Sequence, residues 1–235
     1  MLAILLAGTA PGMALLSYFY LKDKYEPEPV LLVVRTFLFG ALLMLPVAFI
    51  EYVLDIENIG GSELSSSFLS TGMLEESFKW IVLFYSAYRH VEFDEPFDGI
   101  VYGTSVSLGF ATAENILYLL SNGVEYALNR ALFPVSSHAL FGVIMGYYLS
   151  RAKFASTSKW GWMILSISIP AIMHGIFNYI LIKQNAWLTI MIPYMIFLWW
   201  FGMKKIHMAE ILSKAHFSKQ YSIQKILDAN LASYG

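Results

Sequence analysis

The 235-residue chain has no cysteine. That excludes disulfides, thiolate catalysis and cysteine-ligated zinc. Charge is also scarce: only 14% of residues are Asp, Glu, Lys or Arg, where a soluble domain carries about a quarter. The net charge of −2 gives no basic surface for a nucleic-acid partner. The first residues, "MLAILLAGTAPGMALLSYFYLKDK", lack the positive n-region of a secretory signal. Their apolar run continues past any plausible cleavage site, so they read as a retained first helix. No internal repeat or low-complexity tract is apparent.

What the chain does have is apolar length. Hydrophobic residues make up 57% of it, and the mean hydropathy is +0.59. Runs of about 18 or more apolar residues are long enough to span a bilayer as helices. The expected fold is therefore all-α, a polytopic integral membrane helix bundle. Seven spans can be drawn, at 2–21, 30–54, 68–88, 98–121, 131–150, 160–182 and 187–203. The third and fourth are weak on hydropathy alone, because both carry ionisable residues. The expected division is one transmembrane catalytic domain over 1–203 and a tail over 204–235.

Lysine and arginine set the expected orientation. Eleven of them, including Lys22, Lys24, Arg89, Arg151, Lys153, Lys159 and five in the tail, fall on one side. The other side has Arg130 and Lys183. This predicts an N-terminus outside the cell and a C-terminal tail in the cytoplasm. In that tail Ile206, Ile211, Leu212, Ile223, Ile226, Leu227 and Leu231 recur at near-helical spacing among lysines. The tail reads either as an amphipathic helix on the inner leaflet or as a disordered segment.

Charges inside the spans then need explaining, because each costs about 2.5–3.5 kcal/mol at the bilayer centre. Arg35, Glu51 and Asp98 lie near span ends, where headgroup contact suffices. "LEESFKW" (74–80) is different. Lys79 follows Glu75 by four residues and Glu76 by three, so all three share a helix face. An ion pair would account for one carboxylate but not two, and the crowded pair suits a general base.

Three further spans bring polar groups inward. "GFATAENILY" (109–118) aligns Phe110, Glu114 and Tyr118 with Asn115 beside them; a Glu–Tyr hydrogen bond is the plain structural alternative. "PVSSHALFGVIMG" (134–146) carries His138 ahead of Gly142 and Gly146, whose spacing permits close helix contact. "MHGIFN" (173–178) aligns His174 with Asn178, either as interhelical glue or as donors to an oxyanion. Four helices offering polar groups at similar depth point to one hydrated cavity.

These motifs, with "FDGIVYGTSVSLGFATAEN" between them, resemble in order and spacing those of the PrsW family of bacterial intramembrane proteases. The resemblance extends from the N-terminal "AGTAPGMALLSYFYLKD" to "FLWWFG" at 197–202. It implies kinship with the CAAX-processing and bacteriocin-processing membrane proteases, whose first motif is a Glu-Glu pair. It further implies site-1 cleavage of a membrane-anchored anti-sigma factor in stress signalling, from the cell membrane. The family's pair falls on Glu75 and Glu76, with Lys79 as the following basic residue. The later His motifs fall on His138 and on His174 with Asn178. Where the CAAX relatives have His four residues after Phe, this chain has Glu114, so Glu114 is either a third acid or a ligand. No Gly-x-Ser-x-Gly or His-Glu-x-x-His motif is present.

The expected activity is thus a peptidase that activates water with Glu75 or Glu76, with no cofactor expected. A zinc version stays open, with Glu114, His138 and His174 as ligands. An ion-coupled transporter would also bury carboxylates, but it predicts repeated broken helices. A catalytically dead scaffold would tolerate loss of His174. The substrate's identity and cut position are not legible.

Overall fold

A computed structural model describes residues 1–59, 61–183 and 187–232. Among these the regular structure is all helical, in seven rods joined by short connectors. The first two are α1 (Leu2–Tyr20) and α2 (Val30–Ile56). Rod α3 runs from Glu63–Ser65 through a π-helical stretch, Ser66–Met73, into α-helical Leu74–Leu83 and a final π-helical turn, Phe84–Tyr88. Rod α4 is Asp98–Asn122. Rod α5 is Ser136–Phe154, entered through the short turns Val124–Tyr126, Ala127–Arg130 and Ala131–Val135. Rods α6 (Lys159–Ile182) and α7 (Trp187–Ala232) complete the bundle.

Local chemistry sets several boundaries. Pro29 precedes α2, where its fixed φ suits a helix start and its missing N–H costs nothing. Ser62 caps α3 by accepting a hydrogen bond from the Ser65 N–H at 3.2 Å. Rod α4 ends at Gly123, whose φ of 109° is open to glycine at little cost.

Five helical segments are long and apolar enough to cross a membrane: Leu2–Tyr20, Val30–Ile56, Val124–Phe154, Lys159–Ile182 and Trp187–Ser222. The expected spans at 68–88 and 98–121 are helical but do not meet that measure. The reason is position. Rod α4 packs against α1, α2 and α5, and most of its side chains are buried in protein, so it needs no lipid-facing apolar surface. Rod α3 packs against α6 and α2.

The α4–α5 crossing depends on small residues. A methyl group added at Gly142 would lie 2.6 Å from the Gly103 carbonyl oxygen. One at Gly103 would lie 2.5 Å from the Gly142 carbonyl oxygen, so the two backbones touch directly. At its other end the bundle continues into α7, which runs unbroken past residue 203. Its Ile206, Ala209 and Ser213 are buried against the bundle. The side chains of Ile223, Ile226, Leu227 and Leu231 lie outside the described residues.

Candidate active site

The α-helical start of α3 directs Glu75, Glu76 and Lys79 into the bundle, and all three are buried. Lys79 sits at the centre. Its ammonium donates to Glu75 Oε2 at 2.9 Å and to Glu76 Oε1 at 2.8 Å, as the three- and four-residue spacing requires. It also lies 3.0 Å from His138 Nδ1 and 4.2 Å from the centre of the Phe110 ring.

This geometry fixes a tautomer. An ammonium has no lone pair, so Nδ1 of His138 accepts and its Nε2 carries the proton. That Nε2 meets Glu114 Oε2 at 3.1 Å. The other Glu114 oxygen takes Arg130 at 2.8 Å, and Arg130 Nε reaches Asn115 Oδ1 at 3.2 Å. Asn115 in turn donates to the Gly8 carbonyl on α1 at 3.0 Å. The plain Glu114–Tyr118 hydrogen bond is replaced by this chain, and Tyr118 lies instead under the Arg130 guanidinium at 4.3 Å.

From α6, His174 Nδ1 approaches Glu76 Oε1 at 3.0 Å and Glu75 Oε2 at 3.9 Å. The two imidazoles stand edge to face with centroids 4.9 Å apart, and Phe141 stacks on His174 at 5.0 Å. With Nδ1 directed at Glu76, the Nε2 of His174 is left for the space beyond.

That space is a cavity of about 180 Å³ lined by Glu75, Glu114, His138, His174, Asn178 and Glu51, among others. Glu76 does not line it and is completely enclosed. The Asn178 amide nitrogen is buried without a hydrogen-bond partner. All seven sequence-expected residues therefore converge, six of them within this network of contacts and Asn178 through the cavity they share. The residues missed were Arg130, assigned to a loop, and Glu51, assigned to a headgroup contact. Glu51 faces the cavity instead, with Oε1 buried and unpartnered. A polar cavity of about 350 Å³ adjoins the first, and the two share Glu51 and Thr71.

Glu75, Glu76, His138 and His174 each offer a donor atom, all within 4.8 Å of one another, so they form a possible metal-binding group. This set differs from the expected Glu114, His138 and His174. Carboxylates and imidazoles are the right donors for zinc, at bonds of about 2.0–2.2 Å. Their arrangement is not right, because Lys79 already places a positive charge within 3.0 Å of three of the four. As arranged, the donors hold an ammonium and would have to expel it to admit a metal.

A family description, "PrsW family intramembrane metalloprotease", matches residues 28–202. The chain is 57% identical over 206 residues to "Protease PrsW" of Bacillus subtilis strain 168, covering 87% of this chain and 94% of that one. It is 53% identical over 210 residues to the protein of that name in Geobacillus kaustophilus, covering 89% and 93%. The Clostridioides difficile protein of that name is 34% identical over 195 residues, covering 79% and 82%. No solved structure matches. A buried carboxylate–imidazole cluster beside a cavity, in a chain matched along three quarters of its length, leads to one conclusion: this is a membrane peptidase that belongs to the PrsW family of intramembrane proteases.

Proposed function

We propose that the chain hydrolyses a peptide bond with Glu75 as the general base. The observation that carries this reading is the asymmetry of the pair: Glu75 lines the cavity and Glu76 does not. A water held by Glu75 would surrender a proton to it while attacking the substrate carbonyl. Lys79 holds that carboxylate in position through its ammonium. Glu76 has a different task, accepting a hydrogen bond from His174 Nδ1 and so fixing the orientation of that ring at the cavity.

The oxyanion that forms needs donors already in place. The unpartnered Asn178 amide supplies one from α6, with the His174 ring one turn away on the same face. Glu75 then returns its proton to the departing amine, which closes the cycle. His138 and Glu114, braced by Arg130, hold Lys79 from the opposite side. Lys79 stands where a metal would stand, so no step requires one.

The substrate on this reading is a membrane-anchored anti-sigma factor with one membrane helix, cut at its extracytoplasmic side in stress signalling. The N-terminus lies outside and the C-terminal end of α7 in the cytoplasm, as the lysine and arginine bias predicts. The polar cavity that meets the first at Glu51 offers an extended substrate strand a route to Glu75. The test is co-reconstitution with a single-span anti-sigma candidate and mass analysis of the fragments. Glu75→Gln should fold and leave the substrate whole. Continued cutting by that variant would overturn the base assignment.

A further inference from the structure

A second buried charged cluster lies sixteen residues back along α4 from Glu114, which at 1.5 Å per residue is about 24 Å. It gathers Asp23 and Glu28 from the α1–α2 connector with Glu95 and Asp98 from the turn that opens α4. Asp23 is 7% exposed, Glu28 3%, Glu95 1% and Asp98 fully buried. One oxygen on each of Asp23, Glu95 and Asp98 lies within 4.8 Å of the others.

Some of this charge is answered. Asp98 Oδ2 accepts the backbone N–H groups of Asp94 and Glu95, each at 2.7 Å. Glu28 Oε2 accepts the Tyr102 hydroxyl. Six oxygens are left with no hydrogen-bond partner: both of Asp23, both of Glu95, Oδ1 of Asp98 and Oε1 of Glu28. Among the described residues no lysine or arginine is ion-paired with any of the four. Lys153, whose charge interacts with Asp98 and Glu28, directs its ammonium to the Tyr88 carbonyl at 2.9 Å and to the Phe93 ring.

Buried oxygens of this kind are normally satisfied, and orphaned ones call for an explanation. Asp23 and Glu95 are more than nine-tenths buried beside the hydrogen-bonded Asp98; they face each other, and Glu95 also faces the Ser213 hydroxyl, yet none of their four oxygens makes a hydrogen bond of ordinary geometry. An all-oxygen cage of carboxylates is the ligand chemistry of hard divalent ions, and oxygens up to about 4.8 Å apart can sit on opposite sides of one such ion.

We propose that Asp23, Glu95 and Asp98 bind one hard divalent cation, of the Mg²⁺, Mn²⁺ or Ca²⁺ class, with Glu28 as a supporting oxygen. The ion is structural. It ties the α1–α2 connector to the turn before α4, and through that turn to α7, because Ser213 accepts the Phe97 N–H at 3.0 Å. Its place in the bundle separates it from the peptidase cavity, and it is independent of how that cavity works.

The test uses the purified full-length chain in detergent. Mn²⁺ alone is titrated by electron paramagnetic resonance, then displaced with Mg²⁺ or Ca²⁺, in the parent and in His174→Ala, which disables the other donor cluster. One saturable Mn²⁺ per chain is expected in both, with a rise in thermal midpoint over chelator. Glu95→Gln and, separately, Asp23→Asn should each lose roughly 10- to 100-fold in Mn²⁺ affinity. In chelator both variants should be at least as stable as the parent, because each removes a crowded charge. The proposal is overturned if the parent binds no Mn²⁺, which would mean that protons alone neutralise the cluster. It is equally overturned if Mn²⁺ binding disappears with His174→Ala and survives both carboxylate substitutions.

Discussion

Two buried charge clusters sit near opposite ends of α4, and they are neutralised differently. Around Lys79 the carboxylates have a cation from their own helix turn, three and four residues away. Around Asp98 the carboxylates come from connectors, and no ammonium or guanidinium is ion-paired with them among the described residues. The first cluster opens onto a cavity through Glu75. The second is closed. A fixed internal cation orients a carboxylate for work on a passing water; a closed acidic cage is suited to holding an ion. Position within the bundle thus separates chemistry from fastening.

The sharpest way to break this contrast is to remove the reactive carboxylate while keeping its shape. Glu75→Gln should lower peptidase turnover by roughly 10²- to 10⁴-fold, the usual worth of a general base. Thermal stability should change little, because Lys79 keeps Glu76 as a partner. Glu76→Gln should also impair turnover, but through His174. The two variants separate if Glu75→Gln loses the acidic limb of the pH profile while Glu76→Gln keeps that limb at a lower rate. Similar profiles would merge the two roles.

Next in size is loss of the cation. Lys79→Met strands two carboxylates in a site where Lys79 and Glu76 are fully enclosed. Breaking a buried pair in this way costs about 3–5 kcal/mol. The first cluster would then resemble the second, crowded and uncompensated. Adding Glu75→Gln and Glu76→Gln to Lys79→Met should restore the thermal midpoint without restoring activity. If Lys79→Met alone melts with the parent, the lysine is not the neutralising group. Zinc content belongs to the same experiment. Purified parent should carry well under one zinc per chain, and a full equivalent would mean that Lys79 yields its place.

These contrasts also show how much the sequence could disclose. Helical periodicity put Glu75, Glu76 and Lys79 on one face, aligned His174 with Asn178, and flagged Gly142 as a close-approach position. Short-range spacing carries that information. Arg130 was read as a loop charge, and it reaches Glu114 across 16 residues because the break at Gly123 and the short turns that follow it fold the chain back. Glu51 and Asp98 were read as span-end residues because hydropathy reports depth but not neighbours. Asp23 and Glu95 sat in connectors, where polar residues excite no comment. Their meeting depends on helices 70 or more residues apart, such as the Glu28–Tyr102 contact at a separation of 74. No periodic pattern records such a meeting. The weak hydropathy of α4 agrees with its burial among other helices, since a helix sheathed by protein need not look like one facing lipid.

A smaller effect is expected where α4 and α5 meet between the two clusters. Gly142→Ala places a methyl group 2.6 Å from the Gly103 carbonyl, in backbone that cannot swing aside. Overpacking of this kind costs about 1–3 kcal/mol. It should also lower turnover modestly, because α5 carries His138 one turn earlier. A thermal midpoint equal to the parent's would show that the two helices slide freely, and the shared rigidity of the two clusters would then need another source.

The smallest effect tests whether the connector beside the acidic cluster is held by surface charge. Lys24 approaches Glu210 at 3.4 Å, but its side chain is 63% exposed. An exposed pair is worth about 0–1 kcal/mol and is screened by salt. Lys24→Ala should therefore leave the thermal midpoint almost unchanged, in chelator and in divalent cation alike. If it erased the response to Mn²⁺, the surface pair rather than the buried oxygens would be fastening the α1–α2 connector to α7. The contrast between a cluster compensated from within and one compensated by a bound ion would then collapse into ordinary surface pairing.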